Sequence, residues 1–440
     1  MSAGLSAIDH VVVLMLENRS FDHMLGYLYH ASGNVSPSGA AFEGLTGSES
    51  CTGPDGHPVG VYPITPSTPN AYFMPGADPG EGFLRANNQL FGTTSPLPGA
   101  VPSMQGFVTD YAQAIQDNER KHWYVVPGTA ASWIMGCYAP ETLPVLSALA
   151  RGFAVCDHWF SSVPTETMPN RAFTCAGTSQ GHLDDATKSF TVPSIFGALG
   201  KHGIPWKIYG YNRQPLTRLN FPDTQGAGAA NVGLFADFKA DAAAGKLPAF
   251  AFVEPSWSST GNSQHPNYNV ALGEQLILDT YRALASGPGW AKTLLVVTYD
   301  EHGGCYDHVP PPGGAVAPDN SVGEFGFDFS RFGPRVPTVL ASPLIPAGSV
   351  FRVPEASTPL DHTSILATIE HRWNLPPLTR RDAAAPDLGG VLTLATPRTD
   401  DPLAGVTAPT APPIPAQLAA QPSHLAEVRD ELAATFAPPA

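Results

Sequence analysis

The chain has 440 residues, of which 43% are hydrophobic and 14% charged, so it is long and apolar enough to bury a large core. The formal net charge of −15 argues against nucleic acid as the main partner, because a surface that binds nucleic acid must be basic. The five cysteines are odd in number and lack a Cys-x-x-Cys spacing, which excludes a disulfide framework or a cysteine zinc cluster as the expected organisation.

The start of the chain carries no recognisable export signal. Residues 1–16 lack the basic start, the long apolar run and the small-residue cleavage site of a secretory peptide. No stretch approaches the roughly 20 apolar residues of a membrane-spanning helix. We therefore expect no transmembrane segment, and a protein that is cytoplasmic or exported without a recognisable signal in this chain.

Two apolar runs that end in acidic or amide groups predict buried strands. Val11–Leu16 is followed by Glu17-Asn18, and Thr293–Tyr299 is followed by Asp300-Glu301. In open α/β sheets the working residues lie at the carboxyl ends of parallel strands. We therefore expect both groups to share one site, although a strand-end carboxylate alone is more often only a loop cap.

The remaining elements alternate between strand and helix. Further strands are predicted at Phe153–Cys156, Trp206–Tyr209, Phe250–Val253 and Val336–Ala341. Helices are predicted at Leu143–Ala150, Pro193–Gly200, Leu234–Ala244, Leu272–Ala285 and Thr363–Trp373. This alternation favours an α/β fold with a mostly parallel central sheet flanked by helices.

Two regions depart from this pattern. Within a main domain of residues 1–380, residues 31–130 are rich in Gly, Pro and Ser, which predicts a loop-rich excursion that walls the carboxyl edge of the sheet. Residues 381–440 form a Pro- and Ala-rich tail with a linker-like composition. The tail ends in a short predicted helix at His424–Thr435.

The segment Thr165–Arg171 places a hydroxyl at the mouth of a helix. Pro169 favours the first helical position, so we expect the helix to begin there and Thr167 to lie just outside it. Free amides and the positive end of the helix dipole favour an anion, and they favour the ionised form of a nearby hydroxyl. An isolated Thr-x-Pro is more often a simple cap, so this interpretation depends on activating groups elsewhere, with Thr165 as the neighbouring alternative.

The strand-end residues supply such groups. Glu17-Asn18 and Asp300-Glu301 are hard oxygen donors suited to a divalent cation, and Thr167 would complete the set. A bound cation lowers the pKa of a hydroxyl and neutralises a phosphoryl oxygen, which predicts phosphoryl transfer. We expect one divalent ion. Oxygen ligands favour calcium or magnesium, while zinc and manganese stay open.

Proton delivery to the leaving oxygen calls for a side chain with a pKa near the working pH. His265 lies in a loop before the helix that leads to the second buried strand, and it is the first candidate. His302 is the second. His308 and His362 are rivals, although His362 sits at a predicted helix start and is more simply explained as a partner of the cap.

Several segments together resemble a bacterial phosphoesterase family that contains the non-haemolytic phospholipases C and a branch of acid phosphatases. They are, in family order, Glu17–His23, Thr167–Arg171, Gln264–Pro266, Thr298–Gly304 with Tyr306–Pro312, and Asp361–Ser364. The resemblance implies an alkaline-phosphatase-like fold and a covalent phospho-threonine intermediate on Thr167. It also implies that His265 lies against the substrate phosphate and that Asn170 and Arg171 bind substrate. The implied metal ligands are Glu17, Asn18, Thr167, Asp300 and Glu301.

One departure from the family pattern concerns the leaving group. Family members often read Asp-Pro-Gly-His where this chain has Asp78-Pro79-Gly80-Glu81, so Glu81 is a further candidate acid. Exported relatives, which are secreted or periplasmic, commonly carry a twin-arginine signal that is absent here.

The leading hypothesis is a metal-dependent hydrolase of the phospholipase C type, whose partner is a phosphate ester such as a phospholipid headgroup. The alternatives are an acid phosphatase acting on monoesters and a non-catalytic protein that binds phosphate or a headgroup.

Overall fold

The structure is a computed structural model that describes residues 4–228, 230–354 and 356–435. Its strands are β1 (His10–Leu16), β2 (Ser50–Thr52), β3 (Pro58–Gly60), β4 (Tyr62–Ile64), β5 (Gly136–Tyr138), β6 (Ala154–Val155), β7 (Trp159–Phe160), β8 (Trp206–Gly210), β9 (Val232–Leu234), β10 (Phe250–Val253), β11 (Thr293–Tyr299), β12 (Val339–Ala341), β13 (Ser349–Val350) and β14 (Leu360–Asp361). Its α-helices are α1 (Phe21–Leu25), α2 (Phe83–Phe91), α3 (Phe107–Arg120), α4 (Pro144–Gly152), α5 (Thr167–Ala176), α6 (Ile195–Lys201), α7 (Leu216–Asn220), α8 (Phe235–Ala243), α9 (Val270–Ala285), α10 (Thr363–Trp373), α11 (Arg380–Ala384), α12 (Ala416–Ala419) and α13 (His424–Thr435).

The centre of the fold is an eight-stranded sheet in the order β13-β6-β12-β11-β1-β10-β8-β9. Its pairs are parallel except where β12 runs antiparallel to β11 and β6. β1 and β11 lie in the middle and are buried along almost their whole length, as continuous β-branched runs require. Helices α4, α6, α8 and α9 contact strands of this sheet. The predicted α/β class with a mostly parallel, helix-flanked sheet is confirmed.

The prediction for residues 31–130 was incomplete. This region contains the strand pair of β2 and β3, the strand β4, whose partner β5 lies beyond it, and two α-helices, α2 and α3, instead of loops alone. Both helices begin after a glycine and bury polar side chains, including Gln89 and Asp110. Phe107, Tyr111 and Ala114 of α3 recur at helical spacing, so the pattern is present in the sequence. The Gly-, Pro- and Ser-rich composition of the surrounding segments led to the expectation of loops. Over the described residues, no helix is both long and apolar enough to cross a membrane.

The tail is not an extended linker. Leu403 and Leu418 are buried, and the backbone amide of Tyr124 donates to Gln421 Oε1 at 2.8 Å. Its last helix occupies the predicted range. Pro-rich stretches lie between the buried apolar residues of the tail, such as Leu403 and Leu418. The composition therefore resembles that of a linker, although the tail packs against the main domain.

A buried ion cluster lies beside the sheet. The Arg335 side chain is fully buried and donates to Asp22 Oδ1 at 2.8 Å and to Asp307 Oδ1 at 2.9 Å. It also donates to the carbonyl oxygens of Glu43 and Asp157. Asp22, Asp307 and His308 have ligand atoms within 4.8 Å of one another, but the guanidinium already pairs with both carboxylates.

Arg335→Leu should destabilise the fold by about 3–5 kcal/mol, because two buried carboxylates would lose their cation. The midpoint of urea denaturation measures this change. Arg120→Leu is the matched control, since Arg120 pairs with Asp117 but is 69% exposed, and it should change stability by less than about 1 kcal/mol. Equal midpoints for the two variants would contradict the prediction.

Candidate active site

The strand-end residues of β1 and β11 lie side by side. Leu16 is in register with Tyr299, so Asn18 and Asp300 follow at the same edge of the sheet. The Asn18 amide donates to Asp300 Oδ1 at 2.9 Å, and Asn18 takes a left-handed turn with φ of 56°. Glu17 and Glu301 are buried with them. The structure therefore brings the two predicted groups together.

Thr167 reaches this edge from α5. It is buried, and its Oγ1 donates to Asn18 Oδ1 at 2.9 Å. The helix begins at Thr167 and not, as expected, at Pro169, because Glu166 takes the extended conformation of the cap. The Met168 amide donates to Asp185 Oδ1 at 2.6 Å, so one of the helix-end amides already holds a carboxylate.

Asn170 and Arg171, expected to bind substrate, have most of their polar atoms engaged by the protein. The Asn170 amide group exchanges hydrogen bonds with the backbone of residues 163–166. Arg171 Nε donates to Asp300 Oδ2 at 2.9 Å, and Nη2 donates to the last carbonyls of β1. Asn170 therefore shapes the loop before Thr167, and Arg171 holds Asp300, while Arg171 Nη1 is buried without a hydrogen-bond partner among the described residues.

The acidic side chains Glu17, Asp300 and Glu301 are buried together in the site. Burial raises the pKa of Glu17 to about 7, and the charge of Asp300 adds to the shift. Burial, with the charges of Glu81 and Asp300, raises the pKa of Glu301 well above its ordinary value. Glu301 Oε2 accepts from the Gly303 amide at 2.7 Å, while Oε1 is buried without a hydrogen-bond partner among the described residues. Hard oxygen donors with an unpaired carboxylate oxygen fit a divalent cation.

His265 faces two carboxylates across the cavity. Its Nε2 lies 3.4 Å from Glu81 Oε1 and 3.8 Å from Asp78 Oδ1, and its Nδ1 donates to the Pro266 carbonyl at 3.0 Å. Burial by itself would lower the pKa of His265. The charges of Asp78, Glu17 and Glu81 outweigh that effect and raise the pKa well above its ordinary value. His265 is therefore held as an imidazolium with a proton on Nε2.

The other histidines have supporting positions. His302 is fully buried behind the site, its Nε2 donates to Gln89 Oε1 at 2.6 Å, and burial lowers its pKa to about 3. A neutral ring fixed in this way braces the loop at Glu301 and is poorly placed to supply a proton. His308 bonds Asp22 in the buried ion cluster, and His362 Nε2 donates to the carbonyl oxygen of Asp300.

A cavity of about 480 Å³ opens above Thr167. Its walls include Glu17, Glu81 and His265, and also residues that the sequence reasoning missed. The missed residues are the acidic group Glu166, Asp184 and Asp185, Lys121 after α3, and Ser423, His424 and Leu425 of the tail. The adjacent acids Asp184 and Asp185 were the feature of the sequence that could have indicated the acidic group.

The tail residues are attached to the acidic wall of the cavity. His424 Nε2 donates to the Asp185 carbonyl at 2.9 Å. Burial, together with the neighbouring charges, raises the pKa of both Glu166 and Asp185 to about 8. The cavity thus has one wall that resists the approach of additional negative charge.

Residues 8–376 match the Phosphoesterase family. The chain is 38% identical to Non-specific phospholipase C6 of Arabidopsis thaliana, across 97% of this chain and 80% of that relative. It is 37% identical to Non-specific phospholipase C1 of the same plant, across 86% and 69%. It is 29% identical to Phospholipase C A of Mycobacterium tuberculosis, across 89% and 78%.

Solved structures align more weakly. The phosphonate monoester hydrolase of Agrobacterium radiobacter has a TM-score of 0.32 at 15% identity, over 57% of this chain and 72% of that one. A protein of the alkaline phosphatase superfamily from Vibrio parahaemolyticus has a TM-score of 0.34 at 13% identity, over 56% and 64%. The fold class therefore rests on the sheet topology.

Proposed function

The chain belongs to the Phosphoesterase family, and from this premise we propose that it is a metal-dependent phospholipase C with a threonine nucleophile. Its plant and mycobacterial relatives are named as phospholipases C. The observation that carries the proposal is the Thr167 hydroxyl, which lies at a helix mouth on the cavity wall, 2.9 Å from Asn18 Oδ1. The same observation supports Thr167 as the nucleophile in preference to Thr165, whose hydroxyl donates to the Leu183 carbonyl.

One divalent ion would be held by Glu17, Asn18, Thr167, Asp300 and Glu301. The buried carboxylates and the unpartnered Glu301 Oε1 support this set. When bound, the ion lowers the pKa of the hydroxyl and neutralises charge on a phosphoryl oxygen. The donors are all oxygen, which favours calcium or magnesium over zinc or manganese.

Different residues of the chain then carry out different steps of the proposed reaction. Asn18 Oδ1 orients the hydroxyl. Thr167 Oγ1 attacks phosphorus as its proton passes to solvent, the bond to the leaving alcohol breaks, and Thr167 regains a proton from solvent when the phospho-threonine is hydrolysed. His265 Nε2 gives its proton to the leaving oxygen, and a water molecule later hydrolyses the phospho-threonine and returns a proton to His265. The amino end of α5 supports the negative phosphoryl oxygens. Glu81, whose charge raises the pKa of His265, maintains the charge on that ring.

The pH dependence of turnover tests this role of Glu81. Glu81→Gln removes a charge that raises the pKa of His265, so the pKa of His265 should fall and the alkaline limb of the pH profile should move to lower pH. We expect the rate at alkaline pH to drop by about 10²-fold for substrates with a poor leaving group. The measurement is kcat/KM against pH.

Asp117→Asn is the control, because Asp117 also lines the cavity but pairs with Arg85. Its profile should match that of the parent protein. An unshifted profile for Glu81→Gln would remove Glu81 from the mechanism.

The acidic wall favours a diester over a monoester. A phosphate monoester carries up to two negative charges near neutral pH, whereas a diester carries one. Once Glu166 and Asp185 ionise, above their pKa of about 8, they and Asp184 would repel the second charge and attract a cationic substituent on the headgroup.

The proposed function is tested by hydrolysis of a chromogenic phosphorylcholine diester beside a chromogenic phosphate monoester, after chelation and with each divalent ion restored. Metal-dependent preference for the diester is expected. Preference for the monoester would support the acid phosphatase, and binding of phosphate without turnover would support the non-catalytic alternative.

A further inference from the structure

Large apolar side chains project into solvent from two neighbouring loops. Leu97 is 80% exposed, Val101 82%, Val322 82% and Phe325 67%, and we call these four residues the apolar rim. Leu97, Val101 and Phe325 line one groove of about 1010 Å³, so the two loops face each other. Folded proteins rarely expose a contiguous apolar patch, and such a patch marks an interaction surface.

The loop at Phe325 is built to present its aromatic ring. Phe325 has a φ of 57°, a left-handed conformation that is costly for a bulky residue. Its ring stacks on Phe83 with centroids 5.7 Å apart and an interplanar angle of 8°. The Gly323 amide donates to the Phe327 carbonyl at 2.9 Å and closes the turn. The protein therefore holds this ring at the surface.

The charged groups around the rim are few, and they are bonded within the protein. Residues 93–109 contain no charged residue, whereas the loop that carries Val322 and Phe325 contains Asp319, Glu324 and Asp328. These three carboxylates accept hydrogen bonds from the Thr178 hydroxyl, the Leu183 amide and the Ser330 hydroxyl. Of the described residues that line the groove, only Asp328 and Arg331 are charged, and the Arg331 guanidinium lies over the rings of Phe83 and Phe327. An apolar surface with few charges can enter the boundary between lipid headgroups and acyl chains at a small cost in ion desolvation, whereas protein interfaces have a polar rim.

The apolar rim is continuous with the walls of the cavity. Gly82 lines the cavity and Phe83, the next residue, lines the groove. From the other loop, Glu324 Oε2 accepts from the Leu183 amide at 2.9 Å, directly before the cavity residue Asp184. A flat surface seated on the rim would therefore face the mouth of the cavity.

We propose that the apolar rim docks this protein on a zwitterionic phospholipid bilayer and turns the cavity toward the lipid headgroups. The choice of lipid follows from charge, because a chain with a formal charge of −15 is repelled by an anionic membrane surface. The inference rests on the proposed function for its substrate, but docking itself requires no turnover.

The test is co-sedimentation of the full chain with phosphatidylcholine vesicles, in a Thr167→Ala background so that the vesicles stay intact. Val101→Asp and Val322→Asp should each lower the partition coefficient by about tenfold, because each places a charge where an apolar group enters the bilayer. Val35→Asp is the matched control. Val35 is 43% exposed, and it lines neither the cavity nor the groove.

The same substitutions are also made in the parent chain, which retains Thr167. Turnover of a soluble chromogenic ester by these variants distinguishes the docking proposal from the proposed function. Unchanged soluble turnover with weakened vesicle binding supports the apolar rim. Vesicle binding that depends on Val101 and Val322 in a protein without turnover would reject the proposed function and leave the docking surface standing. Binding that is unchanged in both rim variants, equally weakened by Val35→Asp, or increased by added phosphatidylserine would overturn the docking proposal.

Discussion

Thr167→Ala is expected to lower kcat by at least about 10⁴-fold, since no other side chain would replace the attacking oxygen. The fold should survive, because the change removes one hydrogen bond, to Asn18 Oδ1, with a cost of about 1 kcal/mol. Turnover of the chromogenic diester and the thermal unfolding midpoint measure the two effects. Acid quenching followed by mass spectrometry should detect a phosphorylated Thr167 in the parent protein only.

Thr165→Ala is the matched control. Thr165 is also buried and lies two residues away, but its hydroxyl donates to the Leu183 carbonyl and does not line the cavity. We expect its rate to stay within a few-fold of the parent. Full activity of Thr167→Ala, or equal losses in both variants, would refute the proposed nucleophile.

Asp300→Asn should reduce the affinity for the divalent ion by more than the roughly 10- to 100-fold loss that is typical of changes outside the ligand shell. Asp300 accepts hydrogen bonds from Asn18, Glu301 and Arg171. A carboxylate has about four acceptor positions, so one remains for a cation. Bound metal, measured by elemental analysis after dialysis, and turnover should fall together.

Asp307→Asn controls for the loss of a buried ion pair. Asp307 is as buried as Asp300 and also pairs with an arginine, Arg335, but it lies in the separate ion cluster. This variant should lose stability while its metal content stays unchanged. Metal content that is equal in Asp300→Asn and the parent would exclude Asp300 as a ligand.

The parts of the site that the sequence predicted are those with strong local signals. β1 and β11 are unbroken apolar runs, and their ends are marked by Glu17-Asn18 and Asp300-Glu301. Parallel pairing then places those ends together without further information. The family pattern supplied the candidate roles of Thr167 and His265, which spacing alone could not assign.

Other parts depend on contacts between distant segments and had no local signal. Arg171 donates to Asp300 and to the last carbonyls of β1, contacts that its position in the motif did not indicate. Gln89 is buried in α2 because it bonds His302 and Asp110, and such partners are unknown until the fold is known. His424 reaches the cavity wall from a tail whose composition indicated a linker.

The position of β1 at the centre of the sheet has a consequence for the order of folding. β1 is made first, but its partners β10 and β11 begin at Phe250 and Thr293. At typical rates of synthesis, roughly 10–50 s pass before the first partner strand emerges. During that time an apolar strand with two unsatisfied edges is open to association with other chains. Newly made protein should therefore depend on chaperones, and its refolding yield should fall steeply as protein concentration rises.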